Sequence, residues 1–159
     1  MESVEIAEAT SAEDYAAGKS LIEEYAATLG VDLCFQNFTE ELASLKEIYG
    51  PPRGCLLLAR RNGECVGCVA VRIRGATVCE MKRLYVRTQY RGMGYGRLLA
   101  ESAIGRARQL GYSRMVLDTL PSMAEAQLLY ESLGFREVEA YYQNPLSGVR
   151  YLALDLITR

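Results

Sequence analysis

The 159-residue chain contains no histidine, which removes imidazole general bases, His-based catalytic triads and His-ligated metal centres together. Acid and base work near neutral pH is left to Glu, Asp, Tyr, Cys or Lys. No apolar stretch approaches the roughly 18 residues that a membrane span needs. There is also no low-complexity tract, no internal repeat and no linker long enough to separate domains, so one unit over residues 1–159 is expected. A chain of this size hides roughly 68–70% of its unfolded surface on folding, enough for a core without metal or disulfide staples.

The five cysteines, Cys34, Cys55, Cys65, Cys68 and Cys79, are odd in number and scattered through apolar runs. With no signal peptide ahead of them, they read as reduced, buried thiols of a cytoplasmic protein. Cys65 and Cys68 form a C-x-x-C. They lie, however, in the strand-like run Cys65-Val66-Gly67-Cys68-Val69-Ala70-Val71, where residues three apart are expected to face opposite sides. Redox and zinc pairs sit instead at turns or helix starts, and no second pair completes a zinc site, so no metal is expected.

Basic residues are scarce in the first third. Residues 1–50 hold eleven acids against Lys19 and Lys46, whereas residues 51–159 hold sixteen bases and nine acids, and the sum is −2. The excess of bases falls in 81–115, with eight of them and the single acid Glu101. As a whole-chain figure, −2 argues against a nucleic-acid protein.

Val4, Ile6 and Thr10 suggest a first strand. Ser11 and Asp14 form a capping box for a helix with Leu21, Ile22, Tyr25 and Leu29 on its apolar face and Gly30 as its stop. Thr39 is expected to cap a second helix carrying Leu42, Leu45 and Ile48, ended by Gly50, Pro51 and Pro52. The period then changes. A run from Cys55 to Arg60, the turn Asn62-Gly63, a run from Cys65 to Ile73, the turn Gly75-Ala76 and a run from Thr77 to Val86 make a three-strand meander. A helix near 94–110 with Leu98, Leu99, Ala103 and Ile104 follows, stopped by Gly111. Met115 to Leu117 reads as a buried strand and Ser122 to Leu133 as a helix with Ala126, Leu129, Tyr130 and Leu133 on one stripe. Strands from Phe135 to Tyr142 and from Val149 to Leu156, joined by an Asn144-Pro145 turn, complete the order β-α-α-β-β-β-α-β-α-β-β. This is an α+β, mixed α/β architecture with a mostly antiparallel sheet of about seven strands and about four helices.

Between the strand ending at Val86 and the helix near Gly94 stands Arg91-Gly92-Met93-Gly94-Tyr95-Gly96. Glycines on alternate positions let successive backbone N–H groups converge on an anion, and the helix start adds its partial positive charge. The segment is thus a candidate phosphate or pyrophosphate cradle. Arg97 and Leu98 follow Gly96, which excludes a Walker loop, and the spacing G-x-G-x-G is not the G-x-G-x-x-G of a dinucleotide fold.

Arg91-x-x-Gly94-x-Gly96 after Leu84-Tyr85-Val86 resembles motif A of the GNAT superfamily of acyl-CoA-dependent N-acetyltransferases. Leu129-Tyr130-Glu131-Ser132-Leu133-Gly134-Phe135 is similar to that family's motif B. Glu80-Met81-Lys82-Arg83-Leu84-Tyr85-Val86 and Tyr141-Tyr142-Gln143-Asn144-Pro145 look like a bacterial subgroup of unassigned acceptor. The resemblance implies acetyl-CoA as donor and direct transfer to a primary amine of a small molecule or peptide. It also implies that Leu84, Tyr85 and Val86 meet the pantetheine arm in a slot where the fourth and fifth strands splay. Arg91, Gly92, Met93, Gly94, Tyr95, Gly96 and Arg97 would hold the pyrophosphate, with Ser122, Gln127 and Tyr130 as further cofactor contacts. Met123 stands where the family often has Asn.

By the same resemblance, Tyr130 is the candidate acid for the departing thiolate. Glu80 is the candidate base, sharing strand parity with Leu84 and Val86. For both, a purely structural role stays open: a core tyrosine, and an acid paired with Lys82 or Arg83. Tyr25, Phe35, Tyr142 and Asn144 are candidate acceptor contacts, with Phe38 and Tyr141 nearby. The acids of the first two helices, Glu13, Asp14, Glu23, Glu24, Asp32, Glu40, Glu41 and Glu47, form either an acidic wall that steers a cationic amine or solvated helix faces. Two other classes remain open: a non-catalytic acyl-CoA sensor, and a nucleotide-phosphate or RNA-binding module built on 81–115. Neither a nucleic-acid nor a membrane partner is expected, and a homodimer is common in the family.

Overall fold

The computed structural model describes residues 3–29, 38–144 and 146–157. Alternating apolar residues give β1 (Val4–Glu8), which leads into α1 (Ala12–Leu29). Ser11 and Asp14 close the capping box at that start: the Asp14 N–H donates to Ser11 Oγ at 3.1 Å and the Ser11 N–H returns to Asp14 Oδ2 at 3.2 Å. The expected stop at Gly30 lies outside the described residues, as do Cys34, Phe35 and Pro145.

The expected second helix is two short ones, α2 (Phe38–Ala43) and α3 (Leu45–Tyr49), broken at Ser44, whose φ of −133° is not helical. Thr39 is therefore inside α2 and not its cap. The hairpin of β2 (Cys55–Arg61) and β3 (Glu64–Ile73) turns at Asn62-Gly63. Both turn residues have positive φ, 52° and 78°, as a two-residue turn of this hand demands. There follow β4 (Val78–Val86), α4 (Tyr95–Gln109), β5 (Arg114–Thr119), α5 (Ala124–Ser132), β6 (Arg136–Val138) and β7 (Arg150–Asp155). The sixth strand is thus three residues long and does not run on to Tyr142, and there are five helices among the described residues. Leu98, expected in the core face of α4, is 43% exposed. Ala100 and Ala107 take core places there instead.

The seven strands form one sheet in the order β1-β2-β3-β4-β5-β7-β6, antiparallel throughout except for β4 beside β5. One face carries α4 and α5 over Val69, Val71, Met81, Met115 and Leu117. The other carries α1 to α3 over Leu56, Leu58, Cys68 and Tyr85.

Two bulges break strand parity. Ala59 pairs with Gly67 but Arg60 with Cys65, so Val66 is extra. Cys65 therefore packs on the same face as Cys68, against expectation. On β4, Tyr85 pairs with Cys68 and Lys82 with Ala70, which makes one residue of β4 extra, and Arg83 there has φ +61°. Leu84 and Val86 consequently pack with the α4 face, beside Met81, while Tyr85 lies on the other. Glu80, next to Met81 and Cys79 of the α4 face, points to the α1–α3 face and does not share a side with Leu84 and Val86.

The second bulge is fixed by a buried ion pair. Arg83 Nε and Nη2 donate to Glu41 Oε2 and Oε1 of α2 at 2.9 and 2.7 Å, a bidentate fork. Burial pushes the Glu41 carboxyl up, but the hydrogen bonds and charge of Arg83 outweigh it and leave the group below its ordinary value. Its contribution to stability is hence present above the ordinary 4.5 and lost as the pH falls through the lowered value. We expect Arg83→Met to cost about 3–5 kcal/mol, because Glu41 is left buried and unpaired. Denaturant unfolding should show Arg83→Met combined with Glu41→Gln recovering part of that loss. The deficit of Glu41→Gln alone should shrink as the pH is taken well below 4.5.

Candidate active site

β4 and β5 pair only at Val78–Arg114, Cys79–Met115 and Glu80–Val116. Beyond Glu80 the strands part, β5 stays with β7, and Met81 to Val86 keeps an edge turned to the gap. A cavity of about 530 Å³ opens there, walled by Leu84, Tyr85 and Val86 of β4, the 91–96 loop, the start of α5 from Ser122 to Ala126, and Tyr25, Thr28 and Leu29 of α1.

The loop carries the electropositive end of the cavity. Gly92 and Gly94 have φ of 81° and 83°, which a side chain would resist, and Gly94 is the N-cap of α4 with no side-chain cap. Leu98 is the first N–H of the helix to find a carbonyl, that of Gly94 at 3.2 Å. The N–H groups from Gly92 to Arg97 find no backbone carbonyl among the described residues, so they stand open with the helix dipole behind them. A Cβ built on Gly92 or Gly94 meets nothing within 4 Å, so the space in front of them is empty. The N–H of Arg91 is not part of this run, because it donates to the Thr88 carbonyl at 3.2 Å. The Arg91 side chain is exposed, with Nε on the Val86 carbonyl at 3.0 Å.

Not every expected residue reaches the cavity. Met93 is half exposed and accepts from Arg61 at 3.4 Å. Arg97 donates to Ser132 Oγ at 2.5 Å. Gln127 holds the loop before α5, donating to the Leu120 carbonyl at 2.8 Å and accepting from Arg150 at 2.9 Å. Tyr130 is 5% exposed and packs edge-on to Phe135 behind the wall, while Ala126 and Leu129 beside it form the wall itself. Burial, then the charges of Tyr25 and Asp118, pushes its phenol well up. Tyr25 lines the cavity across from it, pushed up to about 12 by burial, with its hydroxyl 4.0 Å from Met123 Sδ.

The far side of the gap holds Glu80, Lys82 and Asp118 under the 139–144 segment. Glu80 is fully buried and accepts from the Tyr141 hydroxyl at 2.7 Å through Oε2. Its Oε1 has no hydrogen-bond partner among the described residues. The Tyr142 hydroxyl donates to Asp118 Oδ2 and accepts from Asn144 Nδ2 at 2.8 Å. Asp118 escaped notice in the sequence because a lone acid in a buried strand has no motif. Its position on the face opposite Leu117 was nonetheless readable from strand alternation.

The acids of α1 to α3 do not form an open wall. Asp14 pairs with Arg60, Glu24 with Arg87 and Glu41 with Arg83. Glu13, Glu23, Glu40 and Glu47 face solvent, and Asp32 lies outside the described residues. No group of three His, Cys, Asp or Glu among the described residues is placed to hold a metal ion, and no described helix is long and apolar enough to cross a membrane.

A profile of the acetyltransferase (GNAT) family matches residues 18–135, from α1 through the cradle to Phe135. The chain belongs to the GNAT family. It is 48% identical over 140 residues to an uncharacterised N-acetyltransferase of Schizosaccharomyces pombe, covering 87% of this chain and 86% of that one. It is 36% identical over 117 residues to the N-acetylaspartate synthetase of Danio rerio, covering 72% of this chain and 42% of that one. Among solved structures, an acetyltransferase of Salmonella typhimurium described with its cofactor acetyl-CoA superposes with a TM-score of 0.73 at 22% identity, over 99% and 96% of the two chains. The expected restriction to a bacterial subgroup does not hold, since the yeast protein shares nearly half its residues with this GNAT chain.

Gly94→Ala tests the loop's backbone. The new Cβ has room, so the cost is that of the left-handed conformation, about 1–2 kcal/mol, read as a lower unfolding midpoint.

Proposed function

We propose that the protein is an acetyl-CoA-dependent N-acetyltransferase that passes the acetyl group directly to a primary amine of a small molecule or peptide, both bound together. The uncapped first turn of α4, open on the cavity between the parted ends of β4 and β5, carries this reading in a GNAT chain. The name of the zebrafish relative favours a small amino compound as acceptor. Free thiols at Cys55, Cys65, Cys68 and Cys79 favour the cytoplasm as its location.

The residues suit the donor. The open N–H groups from Gly92 to Arg97 would hold a pyrophosphate, with Arg91 beside them. The free edge of β4 would pair with the amides of a pantetheine arm at Leu84 and Val86, as an added strand does. When bound, acetyl-CoA supplies an activated acetyl thioester whose C–S bond breaks as the C–N bond to the amine forms.

The chain's own part is proton handling. Glu80 takes the amine's proton, directly or through water, once the Tyr141 hydroxyl is moved aside. Tyr130 gives a proton to the thiolate once the wall of Ala126 and Leu129 in front of it shifts. A phenol is protonated at neutral pH in any case, and the burial that raises its pKa makes it a weaker acid. Tyr25 is the second phenol fit for that task, because it lines the cavity and Tyr130 does not.

Acetyl-CoA at a hundredfold over its Kd should protect the fold by about 2.7 kcal/mol. A thermal shift without such protection sinks the reading. With turnover established by thiol release, Tyr130→Phe should lower kcat by about 10²–10⁴ and Tyr25→Phe should not, if Tyr130 is the acid. The reverse pattern assigns the acid to Tyr25. Glu80→Gln should lower kcat by about 10²–10⁴, and a kcat unchanged by that substitution removes Glu80 as base.

A further inference from the structure

Two unsatisfied groups of opposite charge stand side by side on the acceptor side of the gap. Glu80 Oε1 is a buried carboxylate oxygen that accepts no hydrogen bond among the described residues. At 3.7 Å from it is Nη1 of Arg74, on the turn between β3 and β4. That distance is an ion contact, too long for a hydrogen bond. The Arg74 guanidinium lies over the rings of Tyr141 and Tyr142, at 4.9 and 5.4 Å, and its side chain donates no hydrogen bond among the described residues. The fork is therefore held flat by aromatic faces with its donors unspent, and with 31% of the side chain exposed it is reachable from solvent.

A buried acceptor without a donor and a guanidinium fork without an acceptor are each costly or idle alone. Together they match a ligand that carries its own ammonium and carboxylate next to each other. A plain cationic amine would meet Arg74 as a like charge at the mouth. An anion without an amine would meet Glu80 and Asp118. The Tyr141 hydroxyl on Glu80 and the Tyr142 hydroxyl on Asp118 occupy, in the closed state, the places that N–H donors of such a ligand would take.

We propose that this cluster of side chains selects an amine bearing a carboxylate beside it, a free α-amino acid or similar small amino acid, with the carboxylate on the Arg74 fork and the amine drawn in to Glu80 and Asp118. This rests on the acetyltransferase reading above and narrows its acceptor. The exposed fork takes the carboxylate first, and the amine then displaces Tyr141 and Tyr142 from the two carboxylates. Asp118 joins this cluster to the gap, since it holds the Tyr142 hydroxyl and sits on β5 where that strand has parted from β4.

Thiol release from acetyl-CoA, measured with free L-amino acids, their matched α-carboxamides and spermidine, tests this. The carboxamides keep the amine and lose the negative charge, which also makes the amine less basic, so the rates are compared per neutral amine. On that basis kcat/KM should fall about 10–100-fold from acid to amide, the worth of a charge-assisted pair. Arg74→Gln should collapse that acid-to-amide ratio towards one, and Arg74→Lys should restore part of it. A role confined to holding the tyrosines would lower both rates and leave the ratio alone. Carboxamides or spermidine used as well as the amino acids, or a ratio unmoved by Arg74→Gln, overturns the acceptor assignment and leaves acetyl transfer standing. Absence of release with every amine overturns both.

Discussion

A single arginine with a left-handed backbone organises this molecule. Arg83, the φ +61° residue of the β4 bulge, turns its fork into the layer of α1 to α3 and is gripped there by Glu41. The extra residue twists β4 and reverses which face each later side chain meets. Upstream, Glu80 looks to the layer of α1 to α3, and downstream, Leu84 and Val86 pack with the layer that carries α4. The strands part within three residues of the bulge, so that one local deformation coincides with both the cavity and the separation of its two chemistries.

Element order, the hairpin at Asn62-Gly63, the capping box and the glycine turn into α4 were legible in the sequence because each depends on residues close together in the chain. Parity was not. Alternation of apolar and polar residues assumes a regular pleat, and nothing in Lys82-Arg83-Leu84 announces a bulge, since the residue that takes positive φ there is arginine and not glycine. The same failure put Cys65 and Cys68 on opposite faces when the Val66 bulge brings them to one. The break at Ser44 was equally hidden, because the apolar spacing of Leu42, Leu45 and Ile48 suits one helix as well as two.

The charge split also changed its meaning. The bases of 81–115 look from composition like a field for a polyanion, yet Arg83, Arg87 and Arg106 pair with Glu41, Glu24 and Glu8 of the acidic end. Arg108 is held by the Leu156 carbonyl. The two halves of opposite sign thus neutralise each other in part, and these pairs fasten the helices to the sheet. What remains for an anion is mainly the backbone of the glycine loop. Long-range pairings of this kind, 42 to 98 residues apart, are invisible to any window of sequence.

The first turn of α4 has a bearing on how this protein can be altered. A serine or aspartate at position 94, the routine choice for an uncapped helix end, would offer those N–H groups an acceptor from within, but at a cost of about 1–2 kcal/mol for the left-handed backbone at φ 83°. It would also put an oxygen where the empty space now lies. The bare glycine is the residue this backbone demands, and it leaves the N–H groups uncapped. Capping every open helix end of this chain would close this one too, and with it the empty space at the edge of the cavity.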